Sequence, residues 1–145
     1  MLAIDVGGTN VKILLSGEPE SRRFPSGPEI TAHEMVEGVK RVADGWLYEA
    51  VSIGYPGPVK EGKPERDPFN LGPGWVDYDF GAAFGCPVVV VNDAAMQALG
   101  SYRGGRMLFL GLGTGLGSAM ITDGVLEPME LAHLPFRKAT YEDYV

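Results

Sequence analysis

Hydrophobic and polar positions alternate along the chain in a way that predicts short strands separated by helices. The runs LAIDV and VKILLSG flank the turn GGTN, and Val11, Ile13 and Leu15 alternate with Lys12, which predicts a strand hairpin. A third strand is predicted in SRRFPSG, where Pro25 favours a sheet edge or a strand end. The apolar runs VSIGYP and PVVVVND predict two further strands that are buried on both faces.

Two helices are predicted between and after these strands. Thr31 is placed to cap a helix that runs to about Gly45, and Glu34 completes a capping box. A second helix is predicted from near Ala94 to Gly100, directly after PVVVVND. An initial hairpin followed by alternating strands and helices predicts an α/β fold.

Two segments without regular periodicity divide this pattern. The Pro- and Gly-rich segment GPVKEGKPERDPFNLGPGW separates VSIGYP from PVVVVND, and a loop of that length in a compact domain is more often functional than not. The pair Gly104 and Gly105 predicts a hinge before a strand that begins near Met107.

Composition narrows the classes of function. A chain of 145 residues with 45% hydrophobic content has room for one domain, or for one and part of another. A formal charge of -7 disfavours nonspecific binding to nucleic acid. No apolar run long enough to span a membrane and no export signal is visible, so we expect a soluble, cytoplasmic protein without a membrane partner. The lone Cys86 supports neither an intrachain disulfide nor a cysteine-based zinc site.

Two glycine-rich turns carry the clearest chemical signal. DVGGTN and GLGTGLG are each strand-turn-strand segments, and turns of this kind present backbone N–H groups to phosphate oxygens. Neither matches a Walker A loop, because the required Lys is missing, nor a Rossmann fingerprint, because each leads into a strand. The alternative is a pair of tight hairpin turns without a ligand.

The sequence VVVVNDAAMQALG ends a buried strand at Asn92 and begins a helix, which places the Asp93 carboxylate at the carboxyl edge of the sheet. There Asp93 could accept a proton from a substrate hydroxyl while Asn92 orients that hydroxyl. The alternative is that Asp93 serves as a helix N-cap.

The segment EPMELAHLPF places Glu130 and His133 three residues apart in apolar surroundings. Pro128 and Pro135 limit it to a short turn, and the two polar side chains are suited to contact sugar hydroxyls. The alternative is a satisfied core histidine. Metal binding is disfavoured, because only these two candidate ligands lie close together.

In their order along the chain, these segments resemble the ROK family of sugar kinases and repressors, in the actin/hexokinase-like superfamily. The matching positions are Asp5-Val6-Gly7-Gly8-Thr9-Asn10-Val11-Lys12, Pro56-Gly57, Asn70-Leu71 with Trp75, Asn92-Asp93-Ala94, Gly113-Thr114-Gly115, and Glu130 with His133. The resemblance implies two lobes on mixed, RNase H-like sheets, with residues 1–104 as the first lobe and residues 105–145 as the beginning of the second.

The resemblance also implies a role for each matched residue. Asp93 would be the general base and Asp5 would hold Mg²⁺ through water. The sugar would be bound by Asn70, Asn92, Asp93, Glu130 and His133. The phosphates of the donor would be bound by Gly7, Gly8, Thr9, Lys12, Gly113, Thr114 and Gly115, although Lys12 could equally be a solvated strand lysine.

The chain departs from the family pattern in three ways. Ala132 stands where the sugar motif usually has Gly, which is expected to shift the turn between Glu130 and His133. The cysteine-rich zinc segment is replaced by FRKATYEDYV, as in the zinc-less branch that contains polyphosphate- and ATP-dependent glucokinases, so no zinc is expected. The family continues beyond the position of Val145, so we expect the chain to be incomplete for catalysis by itself.

We therefore expect a hexose kinase that transfers a phosphoryl group from ATP or polyphosphate to glucose, at the 6-hydroxyl. The acidic composition slightly disfavours polyphosphate. The alternatives are a sugar-binding or regulatory protein without catalysis, and a kinase for mannose or an N-acetylhexosamine. A DNA-binding role is disfavoured, because no helix-turn-helix segment precedes the first strand. Exposed apolar residues at 108–110 are expected to favour self-association, for example as a homodimer.

Overall fold

The computed structural model describes residues 1–112, 116–129 and 131–144. It divides into two compact units, Met1–Asp93 and Ala94–Val145. The predicted site residues Gly113, Thr114, Gly115 and Glu130 lie outside the described residues, so their roles stay predictions. The lobe boundary expected after residue 104 also stays a prediction.

The first unit is built on a mixed five-stranded sheet. Its strands and the small hairpin beside them are β1 (Leu2–Val6), β2 (Asn10–Leu15), β3 (Arg22–Pro25), β4 (Val51–Tyr55), β5 (Val59–Lys60), β6 (Lys63–Pro64) and β7 (Val88–Asn92). The order across the sheet is β3-β2-β1-β4-β7, with β1, β4 and β7 parallel and the β1–β2 and β2–β3 pairs antiparallel. This arrangement confirms the predicted mixed α/β sheet and the edge position of β3.

One face of this sheet forms the core of the first unit. Alternate residues of the three central strands are fully or almost fully buried, and Met35 and Val39 of helix α1 (Ala32–Val42) pack in the same core. The predicted capping box is present, because Thr31 N–H donates to Oε2 of Glu34 and Glu34 N–H donates to the Thr31 hydroxyl.

Helix α1 ends at Val42, before the predicted end near Gly45. Nη1 of Arg22 donates to the carbonyl oxygens of Val42 and Asp44 at 2.8 and 3.0 Å. These long-range hydrogen bonds satisfy carbonyl groups at the helix end, which have no partner within the helix. An arginine on a distant strand therefore contributes to the helix end, which local sequence patterns do not indicate.

A second short helix, α2 (Phe80–Phe84), was not predicted. It is too short for a hydrophobic periodicity to emerge, and Asp79 caps it by accepting a hydrogen bond from Ala82 N–H at 2.8 Å. The prediction that β7 is buried on both faces is wrong, since Val89 is 58% exposed. Val90 lies on the face that packs in the core, whereas Val89 points to the opposite face of this edge strand.

The second unit is a three-stranded antiparallel sheet with a small core of Ala98, Ala119 and Ile121. Its elements are α3 (Asp93–Ser101, whose first residue belongs to the first unit), β8 (Arg106–Leu112), β9 (Leu116–Thr122), β10 (Val125–Met129), β11 (Pro135–Phe136) and β12 (Ala139–Thr140). Strands β8 and β9 pair from Arg106 with Thr122 to Leu112 with Leu116, so they flank the second glycine-rich segment as predicted. Among the described residues, no helix has the length and apolar character to cross a membrane.

Candidate functional site

Three predicted site segments follow the three parallel strands of the first unit. β1 leads into the turn of Gly7, Gly8 and Thr9, β4 leads into Pro56-Gly57, and β7 leads into Asp93. Because parallel strands end at the same edge of a sheet, these segments share the carboxyl edge, where open α/β sheets bind ligands.

The turn after β1, which we call the phosphate turn (Gly7, Gly8 and Thr9), is fixed by the segment after β3. Gly7 N–H donates to the carbonyl oxygen of Asn10 at 3.1 Å. The Ser26 hydroxyl donates to the Gly7 carbonyl oxygen at 2.7 Å, and Ser26 N–H donates to the Thr9 carbonyl oxygen at 3.1 Å. Since Gly8 and Thr9 are exposed, the turn is held from one side and open to solvent on the other.

The Asn70 side chain lies directly against the phosphate turn. A Cβ atom placed on Gly8 would be 2.5 Å from Nδ2 of Asn70, so the end of the Asn70 side chain would have to move. A Cβ atom on Gly7 would be 3.0 Å from the backbone oxygen of Asn10. The absence of a side chain at Gly8 therefore lets Asn70 approach the turn closely, and a predicted sugar residue is in contact with a predicted donor residue.

Asn70 is carried by a loop that is anchored in the core at Trp75, a fully buried residue. Trp75 N–H donates to Oδ1 of Asp67 at 2.8 Å, and Trp75 Nε1–H donates to the Gly72 carbonyl oxygen at 2.8 Å. Gly72 N–H in turn donates to the Ile30 carbonyl oxygen at 3.0 Å. These hydrogen bonds hold the loop on both sides of Asn70, so the loop presents this residue at the carboxyl edge next to the phosphate turn.

Tyr55 at the end of β4 supports the beginning of the same loop. Its ring centroid is 5.6 Å from that of Trp75, and its hydroxyl donates to the Arg66 carbonyl oxygen at 2.7 Å. Burial, followed by the charge of Asp67, raises the pKa of Tyr55, so the hydroxyl remains a hydrogen-bond donor through the physiological range.

Asp67→Asn should destabilise the protein at neutral pH, and the difference from wild type should shrink in acid. Hydrogen bonds from the backbone, first that of Trp75, hold the pKa of Asp67 below its ordinary value of about 3.9. A depressed folded-state pKa gives stability that is present above the unfolded-state pKa and is lost as pH falls through the folded-state pKa. Urea unfolding of both proteins between pH 7 and pH 3 measures this difference.

Glu65→Gln is the matched control for Asp67→Asn, because Glu65 is a nearby exposed carboxylate in the same loop. Its unfolding free energy should stay close to that of wild type across the range. A difference for Asp67→Asn that is constant with pH would show that its carboxylate charge does not hold the loop.

Asp5 lies on the face of the sheet opposite the core, between Lys12 of β2 and Gly54 of β4. Burial raises the pKa of Asp5, and the nearby Lys12 charge lowers it in part. A cation beside Asp5 would favour its ionised form, and Gly54 adds no side chain to block that approach. A half-buried carboxylate next to a turn that is predicted to bind phosphate fits Mg²⁺, which proteins hold with few carboxylates together with water and substrate phosphates.

Asn92 and Asp93 occupy the adjacent end of β7. Nδ2 of Asn92 donates to the Gly57 carbonyl oxygen at 3.2 Å, which ties β7 to the turn after β4. Asp93 is half-buried and is the first residue of α3. Its position is compatible with both predicted roles, as general base and as helix-terminal carboxylate.

His133 belongs to the second unit, where it is exposed at the end of the 3-10 helix Leu131–His133. The Ser118 hydroxyl accepts a hydrogen bond from Leu131 N–H and donates to the Met129 carbonyl oxygen, each at 3.1 Å. Ala132 is buried, so the residue that departs from the family pattern packs inside this short turn. In the ranges 1–112, 116–129 and 131–144, no group of three His, Cys, Asp or Glu side chains forms a metal cluster.

Four supporting residues were not indicated by the sequence as parts of the site: Ser26, Tyr55, Asp67 and Gly72. Each acts through a hydrogen bond to a residue at least eight positions away along the chain. A Cβ atom on Gly72 would overlap the Glu29 backbone oxygen, so only glycine fits there. The one feature of the sequence that indicated the importance of this loop was the high density of Pro and Gly around Trp75.

Comparison with known proteins shows which family and which relatives this chain matches. The model of the ROK family matches residues 1–127. The N-acetylmannosamine kinase of Salmonella typhimurium is 30% identical over 141 residues, covering 86% of this chain and 48% of that protein. The glucokinase of Pyrobaculum calidifontis is 31% identical over 137 residues, covering 86% of this chain and 44% of that protein. The chain thus spans about half the length of these curated relatives.

Solved structures show the same fold. The inorganic polyphosphate/ATP-glucomannokinase of Arthrobacter sp. strain KM has 30% identity and a TM-score of 0.77, covering 98% of this chain and 66% of that one. The ROK glucokinase of Streptomyces griseus, in complex with glucose and AMPPNP, has 25% identity and a TM-score of 0.71, covering 97% of this chain and 48% of that one. The actin/hexokinase-like fold expected from the sequence is confirmed.

Proposed function

Because the chain belongs to the ROK family, we propose that it carries the acceptor- and donor-binding edge of a sugar kinase that phosphorylates a hexose hydroxyl. The contact between Asn70 and Gly8 carries this proposal, since it joins a predicted sugar residue to the phosphate turn. Acceptor and donor must lie next to each other for direct phosphoryl transfer.

The residues of the carboxyl edge would divide the chemistry between them. Asp93 would accept the proton of the sugar hydroxyl as the hydroxyl oxygen bonds to the terminal phosphorus of the donor, while Asn92 and Asn70 orient the sugar. The bond from that phosphorus to the bridging oxygen breaks, and ADP, or polyphosphate shortened by one phosphate, leaves. The phosphate turn and Lys12 hold the donor phosphates. Asp5 would hold Mg²⁺ through water, and this ion would neutralise charge on the phosphates being transferred. The predicted Glu130, His133 and Gly113-Thr114-Gly115 would complete the binding of sugar and donor.

Glucose is the first candidate acceptor. The relatives are a glucokinase, an N-acetylmannosamine kinase and a glucomannokinase, so mannose and N-acetylmannosamine are the alternatives. Because the glucomannokinase is named for both inorganic polyphosphate and ATP, each of these compounds should be tested as the donor.

The test is phosphoryl transfer by the full-length protein that contains this chain, followed by ³¹P NMR, with each acceptor supplied in turn and ATP or polyphosphate as donor. A sugar phosphate that forms only with one acceptor class supports a kinase and identifies its substrate. Tight sugar binding without any transfer would favour a sugar-binding regulatory protein.

A further inference from the structure

Arg23 of β3 lies directly opposite Lys12 of β2 in the antiparallel ladder. Both side chains are exposed and project from the face of the sheet that also carries Asp5, whereas Phe24 packs against the core on the other face. Across three neighbouring strands the row is therefore Arg23, Lys12 and Asp5. Strands lie about 4.8 Å apart, so this row is roughly 10 Å long between Cα atoms.

Two like charges opposite each other destabilise a sheet unless an anion compensates them. Among the described residues, the one ion pair shorter than 4.0 Å joins Lys40 and Glu37, so Arg23 has no ion pair of that length and Lys12 interacts with the opposite Asp5 only at longer range. Two basic side chains next to each other, Lys12 and Arg23, are also notable in a chain with a formal charge of -7.

The row crosses the strands close to the phosphate turn, since Asp5 lies two residues before Gly7 and Lys12 lies three residues after Thr9. β2 starts at Asn10, immediately after Thr9, and Ser26, which follows β3, donates to the carbonyl oxygens of Gly7 and Thr9. A donor whose terminal phosphate lies at the turn can therefore extend its next phosphates over Lys12 and Arg23. If Asp5 binds Mg²⁺ through water, the side chains of Lys12 and Arg23 remain available to bind phosphate oxygens.

We propose that Arg23 is a further donor-binding residue, which contacts the phosphates behind the transferred one in a chain of several consecutive phosphates. The proposal rests on the proposed function and extends it to a residue outside the family motifs identified in the sequence. The guanidinium group suits this task, because its planar N–H donors bind two phosphate oxygens at once. The chemistry is shared by nucleoside triphosphates and by inorganic polyphosphate.

Calorimetric titration of the whole chain with orthophosphate, tripolyphosphate and ATP, each with Mg²⁺, tests the proposal. Arg23→Gln should weaken tripolyphosphate binding about five-fold, as expected for loss of one exposed charge pair, and leave orthophosphate binding unchanged. Arg23→Lys should retain part of the affinity. Arg41→Gln is the matched control, because it removes the same charge from an exposed position on α1 and should change nothing.

The outcomes separate this inference from the proposed function. If Lys12→Gln weakens tripolyphosphate binding but Arg23→Gln behaves like Arg41→Gln, the role of Arg23 is refuted while the donor site stands. If the folded wild-type chain binds no phosphate compound, both the role of Arg23 and the proposed function are refuted. Equal losses for ATP and tripolyphosphate would support contact with phosphates that the two share, and a loss confined to tripolyphosphate would support polyphosphate as the source.

Discussion

In the full-length kinase that is proposed to contain this chain, Asp93→Asn should lower the rate of phosphoryl transfer by about 10²–10⁴ and leave glucose affinity nearly unchanged. The substitution keeps the size of the side chain and its ability to accept a hydrogen bond, but removes the group that takes the proton. Turnover by ³¹P NMR and glucose affinity by calorimetry give the two quantities, and both are measured on the same protein.

Asp44→Asn is the control for this substitution, because Asp44 is an exposed acid after α1 in the same unit. It should leave both quantities at wild-type values. If Asp93→Asn lowers affinity and turnover by the same factor, the carboxylate acts in binding or in helix capping and not as a general base.

Gly8→Val should weaken the binding of phosphate donor and of sugar together, each by about ten-fold or more, as steric overpacking of this size predicts. The added side chain would occupy the space of Nδ2 of Asn70 and would cover the phosphate turn. Calorimetry with tripolyphosphate and with glucose measures the two effects separately.

A double-mutant cycle tests whether the weaker glucose binding caused by a side chain at position 8 arises from its contact with Asn70. Gly8→Ala should weaken glucose binding less in the Asn70→Ala background than in wild type, because the clash has been removed. Gly100→Ala serves as the control, since a Cβ atom at Gly100 meets nothing within 4 Å. Additive effects of Gly8→Ala and Asn70→Ala would contradict the proposed contact.

The elements that the sequence predicts well are those that local rules decide. The capping box of Thr31 and Glu34 and the alternation of Val11 and Ile13 each depend on neighbours within a few residues. The end of α1 was placed too late: the helix ends at Val42, where Arg22 of a distant strand donates hydrogen bonds to the carbonyl oxygens of Val42 and Asp44. Long-range hydrogen bonds of this kind leave no local pattern.

The candidate site also has some features that the sequence predicts and others that only the structure shows. Its motifs and their order could be identified from the sequence, and the parallel strands explain why three of them share one edge. The approach of Asn70 to Gly8 depends on how the loop is anchored at Trp75, which only the folded chain shows. The position of Arg23 depends on strand register, because a shift by one residue would turn its side chain to the opposite face.

The most direct test of the central claim, that the carboxyl edge of the five-stranded sheet binds a hexose beside the phosphate turn, is calorimetric titration of the chain with glucose, mannose and N-acetylmannosamine. We predict that one of these sugars binds, that Asn70→Ala weakens this binding, and that Glu65→Gln does not. A folded chain that binds none of the three, or that binds one equally well after Asn70→Ala, would contradict the claim.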